Sequence, residues 1–172
     1  MTRLELALHE AAHLVVCRGE RFRVESVSLR ADSRSLAHVV HSETNATGRL
    51  RSLIAGPVAD VIDGRGYNRS GEPGTDAREA LDLALSLSGG EWSRAVALVS
   101  REARFVGAIL GETARLRASL ALRLAACSVD PIPGALVEHL FRDAEKAARR
   151  ELFATKRGRP ERRFPERRPY VV

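Results

Sequence analysis

Two histidines, His9 and His13, stand four residues apart in the stretch LELALHEAAHLVV (Leu4–Val16), with Glu10 directly after the first. An α-helix turns once in about 3.6 residues, so the two imidazoles share one face and can converge on a single zinc ion. Glu10 projects to the side of that pair, where a carboxylate reaches a water on the metal rather than the metal itself. Zinc makes such a water acidic, and the carboxylate takes its proton as a general base in attack on a peptide carbonyl. The plainer reading is a structural helix that carries two histidines on a polar edge.

A catalytic zinc needs a third protein ligand and one open position. The metzincin extension is absent, since it would put glycine where Val16 stands and histidine where Gly19 stands. Cys17 lies one further turn along the face, and three ligands spread over two turns of a straight helix do not converge well. The third ligand therefore comes from another segment.

The elements that must position these residues are mostly helical. Thr2 and Glu5 form a capping-box pattern at the start of the first helix, and Gly19 is its expected stop. Phe22–Arg30 and Ser35–His41 read as two strands joined by a short polar turn, most simply an antiparallel pair. Leu50, Leu53, Ile54, Val58, Val61 and Ile62 then fall at helical spacing, with Gly64 as a stop. Pro57 inside that pattern should kink the helix or mark a boundary. Gly64–Gly74 is a polar, glycine-rich loop, and a helix restarts at Thr75 or Asp76 and runs to about Ser88. Gly89 and Gly90 break it; Glu91–Cys127 favours helix as two pieces or one bent one. Val129–Gly134 reads as a turn, and a last helix follows, becoming polar and basic. The fold class is mainly α with a small antiparallel β-element after the first helix.

The chain's 172 residues fit one domain, with residues 1–154 as its body and 155–172 as a basic tail. That tail has seven basic residues against two acidic ones, a net +5 of the chain's +6, so the body is nearly neutral. Pro160, Pro165 and Pro169 among the arginines predict disorder in the tail. Its arginines, with Phe164 and Tyr170 between them, suit contact with nucleic acid or an acidic partner, or serve only as a solubilising tail. The cysteines Cys17 and Cys127 sit in apolar stretches and read as reduced core residues. No signal peptide and no membrane-spanning run is legible, so the expected location is cytoplasmic.

Four short motifs occur in an order that adds to this reading: HEAAHLVV, VESVSL, LIAGPVADVIDG and GEPGTDAREAL. Together with DPIPGALVEHL they resemble the peptidase domain of the FtsH-type ATP-dependent zinc metalloproteases, over about Leu4–Leu140. The resemblance implies an FtsH-like zinc peptidase fold, with His9, His13 and Asp76 as zinc ligands and Glu10 as the catalytic base. Taken alone, Asp76 is an acid at a helix start, favoured there by the helix dipole. Asp60 falls where the family has an acidic residue; it either accepts a hydrogen bond from a ligand histidine or is a solvated helix residue. The strand carrying His38 matches the family's substrate-side edge strand, to which a peptide can add by main-chain hydrogen bonds. His38 either helps hold an oxyanion or faces solvent, and His41 and His139 read as ordinary residues.

The chain departs from the family at Ala12, where glycine is usual, and at Pro57, where arginine is usual. It lacks the family's PRG turn between the strands, any G-x-x-x-x-G-K-[ST] phosphate loop, and the membrane segments. The implied activity is that of a stand-alone, ATP-independent zinc metallopeptidase acting on peptides or unfolded segments. The alternative is a non-catalytic scaffold of the same fold that binds partners.

Overall fold

The computed structural model describes residues 2–29, 38–42, 45–65 and 75–157. In chain order these form α1 (Arg3–Gly19), β1 (Val24–Ser28), β2 (His38–His41), α2 (Ala46–Ile62), α3 (Asp76–Leu87), α4 (Trp92–Glu112), α5 (Ala114–Ala126), β3 (Ile132–Pro133) and α6 (Gly134–Arg157). The molecule is mainly helical with a small antiparallel sheet, and among the described residues no helix is long and apolar enough to cross a membrane.

The first helix is the axis of the structure. The Thr2 hydroxyl accepts from the Glu5 N–H, and the Glu5 carboxylate accepts from the Thr2 N–H, so the capping box is complete. Nearly every residue from Leu6 to Cys17 is buried, because α1 packs against α2, α5 and the sheet at once. Ala7, Ala11 and Ala12 have no exposed surface, and their small side chains let the neighbouring helices close in. After Gly19 the chain turns through Arg21, whose φ is +61°. Phe22 then lodges against Gly48 of α2, where a Cβ would stand 2.7 Å from the Phe22 ring.

The sheet has the order β2-β1-β3, both pairs antiparallel. Val39, Val27 and Ile132 stand opposite one another across the three strands and pack into the main core. Residues 30–37, and with them the end of the first expected strand, the whole expected turn and the first part of the second strand, lie outside the described residues. The expected antiparallel pair is present, but Val129–Gly134 is not simply a turn. It contains β3, a two-residue strand flanked by Pro131. That strand is too short to show alternation, and proline is tolerated because β3 lies at an edge.

Pro57 does not divide α2, which runs from Ala46 to Ile62. Proline removes one helical hydrogen bond. Leu50, Ile54, Ala55 and Ala59 are buried on either side of it, and their packing holds the helix across the gap. Glu91–Cys127 forms two helices that meet at Thr113. Helix α6 reaches Arg157 and so takes in the first three residues of the expected tail; residues 158–172 lie outside the described ones.

Asp130 pins the approach to β3. Its almost fully buried carboxylate accepts from the Ser28 hydroxyl (2.9 Å) and the Leu29 N–H (3.1 Å), and pairs with Arg3 at 3.5 Å. The Arg3 guanidinium also donates to the carbonyls of Ala125 and Cys127, so one contact set joins α1, β1 and the end of α5. Asp130→Ala removes the acceptor shared by Ser28, Leu29 and Arg3 and should cost about 2–3 kcal/mol of stability in urea denaturation.

Candidate metal centre

The sequence's first signal, the four-residue spacing, gives the expected geometry: the rings of His9 and His13 lie one above the other with centroids 4.9 Å apart. Helix α2 crosses beneath them at Gly56. A Cβ there would overlap the His9 ring and come within 2.5 Å of His13 Nε2, so only glycine leaves both rings their places. Asp76 is the first residue of α3, whose N-cap Thr75 accepts from the Arg78 N–H. From there Asp76 Oδ2 lies 3.1 Å from His9 Nε2 and 3.0 Å from His13 Nε2. The helix dipole favours its negative charge at that end.

The partners of the other ring nitrogens decide what these three atoms can do. His9 Nδ1 lies 2.9 Å from Asp60 Oδ2, and His13 Nδ1 lies 2.7 Å from the Ser52 carbonyl oxygen. Both partners only accept, so both Nδ1 atoms carry the proton and donate. In the neutral imidazoles the two Nε2 atoms are then bare lone pairs, and both face a carboxylate oxygen. Three acceptors pointed at one another repel unless a cation lies among them, either protons on the rings or a metal ion.

The acid–base balance of the site reflects this. Burial works against a charged His9, but its hydrogen bonds to Asp60 and Asp76 outweigh it and raise its pKa to about 10. His13 is likewise raised: burial opposes its charge, and Asp76 overcomes that. Burial pushes Asp76 up, but the charge and hydrogen bond of His13, with His9 beside it, hold it well below the usual carboxylate range. Glu10, 1% exposed, is pushed up to about 7 by burial, against the pull of both histidines. Its Oε2 has no hydrogen-bond partner among the described residues.

Taking one ligand atom from each, His9, Glu10 and His13 fall within 4.8 Å of one another. Asp76 makes the better third ligand. Its oxygen already touches both Nε2 atoms, whereas Glu10, next to His9 on a helix, is turned about 100° around the axis. A tetrahedral zinc with arms of about 2.0–2.1 Å would set its ligand atoms roughly 3.3 Å apart, close to the two contacts that Asp76 makes with the histidines. Two imidazole nitrogens and a carboxylate oxygen are a donor set that suits zinc and leaves a fourth position.

The sequence-predicted residues His9, Glu10, His13, Asp76 and Asp60 are thus brought together. His38 lies on the edge strand β2, opposite Ser28, and its side chain is outside the described residues. Cys17 stays apart, with its Sγ 3.4 Å from the Ser52 hydroxyl. Both cysteines are free. His139 is exposed and pairs with Asp143 on α6. Two contributors escaped the sequence: the Ser52 carbonyl, which has no side-chain signature, and Gly56. A glycine inside an amphipathic helix costs stability, and that cost was the available sign of a close approach. The concave surface between α1 and α6, lined by Leu14, Arg18, Phe22 and Phe141, belongs to a different face of α1.

The chain matches no protein-family model and no curated protein sequence. Residues and geometry alone carry the functional reading.

Two outcomes follow. Gly56→Ala should leave a folded protein, because alanine favours a helix, yet cut zinc affinity at least about 100-fold by displacing the rings; circular dichroism and chelator competition check both. In the metal-free protein, His9 binds its proton more tightly folded (about 10) than unfolded (6.5). Its stabilising contribution is therefore complete below pH 6.5 and lost as the pH rises towards 10. Glu10, raised to about 7, adds a loss in the same direction between pH 4.5 and 7. Melting temperature in chelator should fall from pH 6.5 to 10, and the rise produced by zinc should grow over that range, since zinc replaces the protons.

Proposed function

We propose that this chain is a zinc metallopeptidase with an FtsH-like peptidase fold that hydrolyses peptide bonds without ATP. The observation that carries this reading is the meeting of the His9 and His13 lone pairs with Asp76 Oδ2, beside a buried Glu10 carboxyl whose Oε2 has no hydrogen-bond partner among the described residues. His9, His13 and Asp76 would hold the ion. Zinc bound there supplies Lewis acidity, which makes a water acidic and polarises a carbonyl.

The chain's own residues supply the rest. Glu10 takes a proton from the attacking water as its oxygen adds to the peptide carbon. It then gives that proton to the departing amine nitrogen as the C–N bond breaks, leaving a carboxylate and an amine. A carboxyl whose proton affinity is raised by burial can both accept and return a proton. Asp60 and the Ser52 carbonyl keep Nδ1–H donating on the two rings, so that both Nε2 atoms stay free for the metal. An extended substrate would add to the outer edge of β2, the strand that carries His38, beyond which no strand lies among the described residues. Segments that are already extended or unfolded are the substrates such strand addition suits.

Protein purified without a metal-affinity tag should contain about one zinc per chain, and Asp76→Ala should weaken binding at least about 100-fold. Glu10→Gln should keep the zinc and lower cleavage of an unfolded protein substrate by at least about 100-fold. Bound zinc with no cleavage of any unfolded substrate would replace this reading with that of a binding scaffold. No zinc uptake would remove it.

A further inference from the structure

We propose that Arg65 is a positioning residue for the metal centre, acting on His9 through Asp60; its consequence for zinc rests on the metallopeptidase reading above. Asp60 presents Oδ2 to His9 Nδ1–H, and its other oxygen, Oδ1, lies 3.0 Å from Arg65 Nη2. The guanidinium therefore fixes which way the carboxylate faces. Arg65 Nη1 donates to the Glu5 carbonyl at 2.9 Å. In the helical ladder of α1 that carbonyl also receives the backbone N–H of His9, four residues on. One side chain thus secures His9 at both ends, its ring through Asp60 and its backbone through Glu5.

Arg65 is itself anchored. Its Nη2 donates to Asp63 Oδ2 at 2.7 Å, and the buried Arg117 of α5 grips both oxygens of Asp63 at 2.8 and 2.6 Å. The order Asp60, Arg65, Asp63, Arg117 alternates in sign and runs from behind the metal centre to α5. Such a chain of charge-assisted bonds in a partly buried setting has strong directional preferences. Without Arg65, the Asp60 carboxylate is free to turn about its last bond, and the His9 ring loses the contact that fixes its orientation.

The test is a double-mutant cycle with two readouts. Zinc affinity is measured by chelator competition for the wild type, Arg65→Gln, Asp60→Ala and the double variant. Arg65→Gln should weaken zinc about 10-fold, and Asp60→Ala about 10- to 100-fold. The double variant should bind no more weakly than Asp60→Ala, because Arg65 acts through Asp60. Equal loss from Arg65→Gln in both backgrounds, or unchanged affinity, would overturn the proposal. The second readout is the imidazole Nδ1–H proton signal of His9 in metal-free protein. It should be slow to exchange in the wild type and lost in Arg65→Gln; if it persists, Arg65 serves only the fold. Should Arg65→Gln fail to fold, Arg65→Lys keeps the charge but reaches fewer partners, and should show the same changes at smaller size. A wild type that takes up no zinc but whose His9 signal depends on Arg65 would remove the metal reading while leaving the positioning role in place.

Discussion

Two imidazole lone pairs and a carboxylate oxygen converge on one point, and such a meeting is stable only with positive charge between them. The rest of the structure serves that constraint. The carbonyl of Ser52 and the carboxylate of Asp60 hold the protons on the far side of the rings. Gly56 gives the rings room, and the Thr75 cap starts α3 where Asp76 can reach them. Helix α1 can carry the pair in a nearly dry setting because alanines on its other faces admit α2 and α5 closely. Burial that would ordinarily strip charge from these groups instead sharpens their dependence on one another.

The same dryness separates Glu10 from its neighbours. It is more deeply buried than either histidine and has no donor at Oε2 among the described residues, and burial raises its pKa to about 7. Adjacent positions on one helix therefore both favour their protonated forms, charged at His9 and uncharged at Glu10. His9 retains a proton far above its ordinary pKa, and Glu10 retains one above its own. Environment, rather than residue type, divides the roles of ligand and proton carrier.

What could be read from the sequence was whatever leaves a local pattern. The Thr2–Glu5 box, the spacing of His9 and His13, the helical period around Ile54 and the stops at Gly64 and Gly89 each depend on residues a turn or two apart. Asp76 could not be singled out that way: as a first-turn acid it looks like any other, and only the order of motifs raised it. Strand β3 was hidden because two residues beside a proline show no period. Ser52 and Arg65 were hidden for a further reason. One contributes a backbone atom, and the other acts through two intermediates, so neither role exists until the helices have packed.

The structure has two apolar clusters. One gathers α1, the sheet, α5 and α6 with Ala55 and Ala59 of α2 and Val106 and Leu110 of α4; the other gathers Leu50, Ile54, Ala80, Ala84 and Ala95 around α3, and Val58 packs against both. Among the described residues α3 packs on α2 and α4 and makes no backbone contact with α1. Yet α3 carries Asp76, and α1 carries both histidines. A cation at their meeting point would tie α3 directly to a helix that it otherwise reaches only through α2 and α4. Withdrawing it would loosen α3 as a unit while leaving the larger cluster intact. Occupancy and the seating of α3 would then be one equilibrium, and whatever competes for the ion would also set how often that helix lets go.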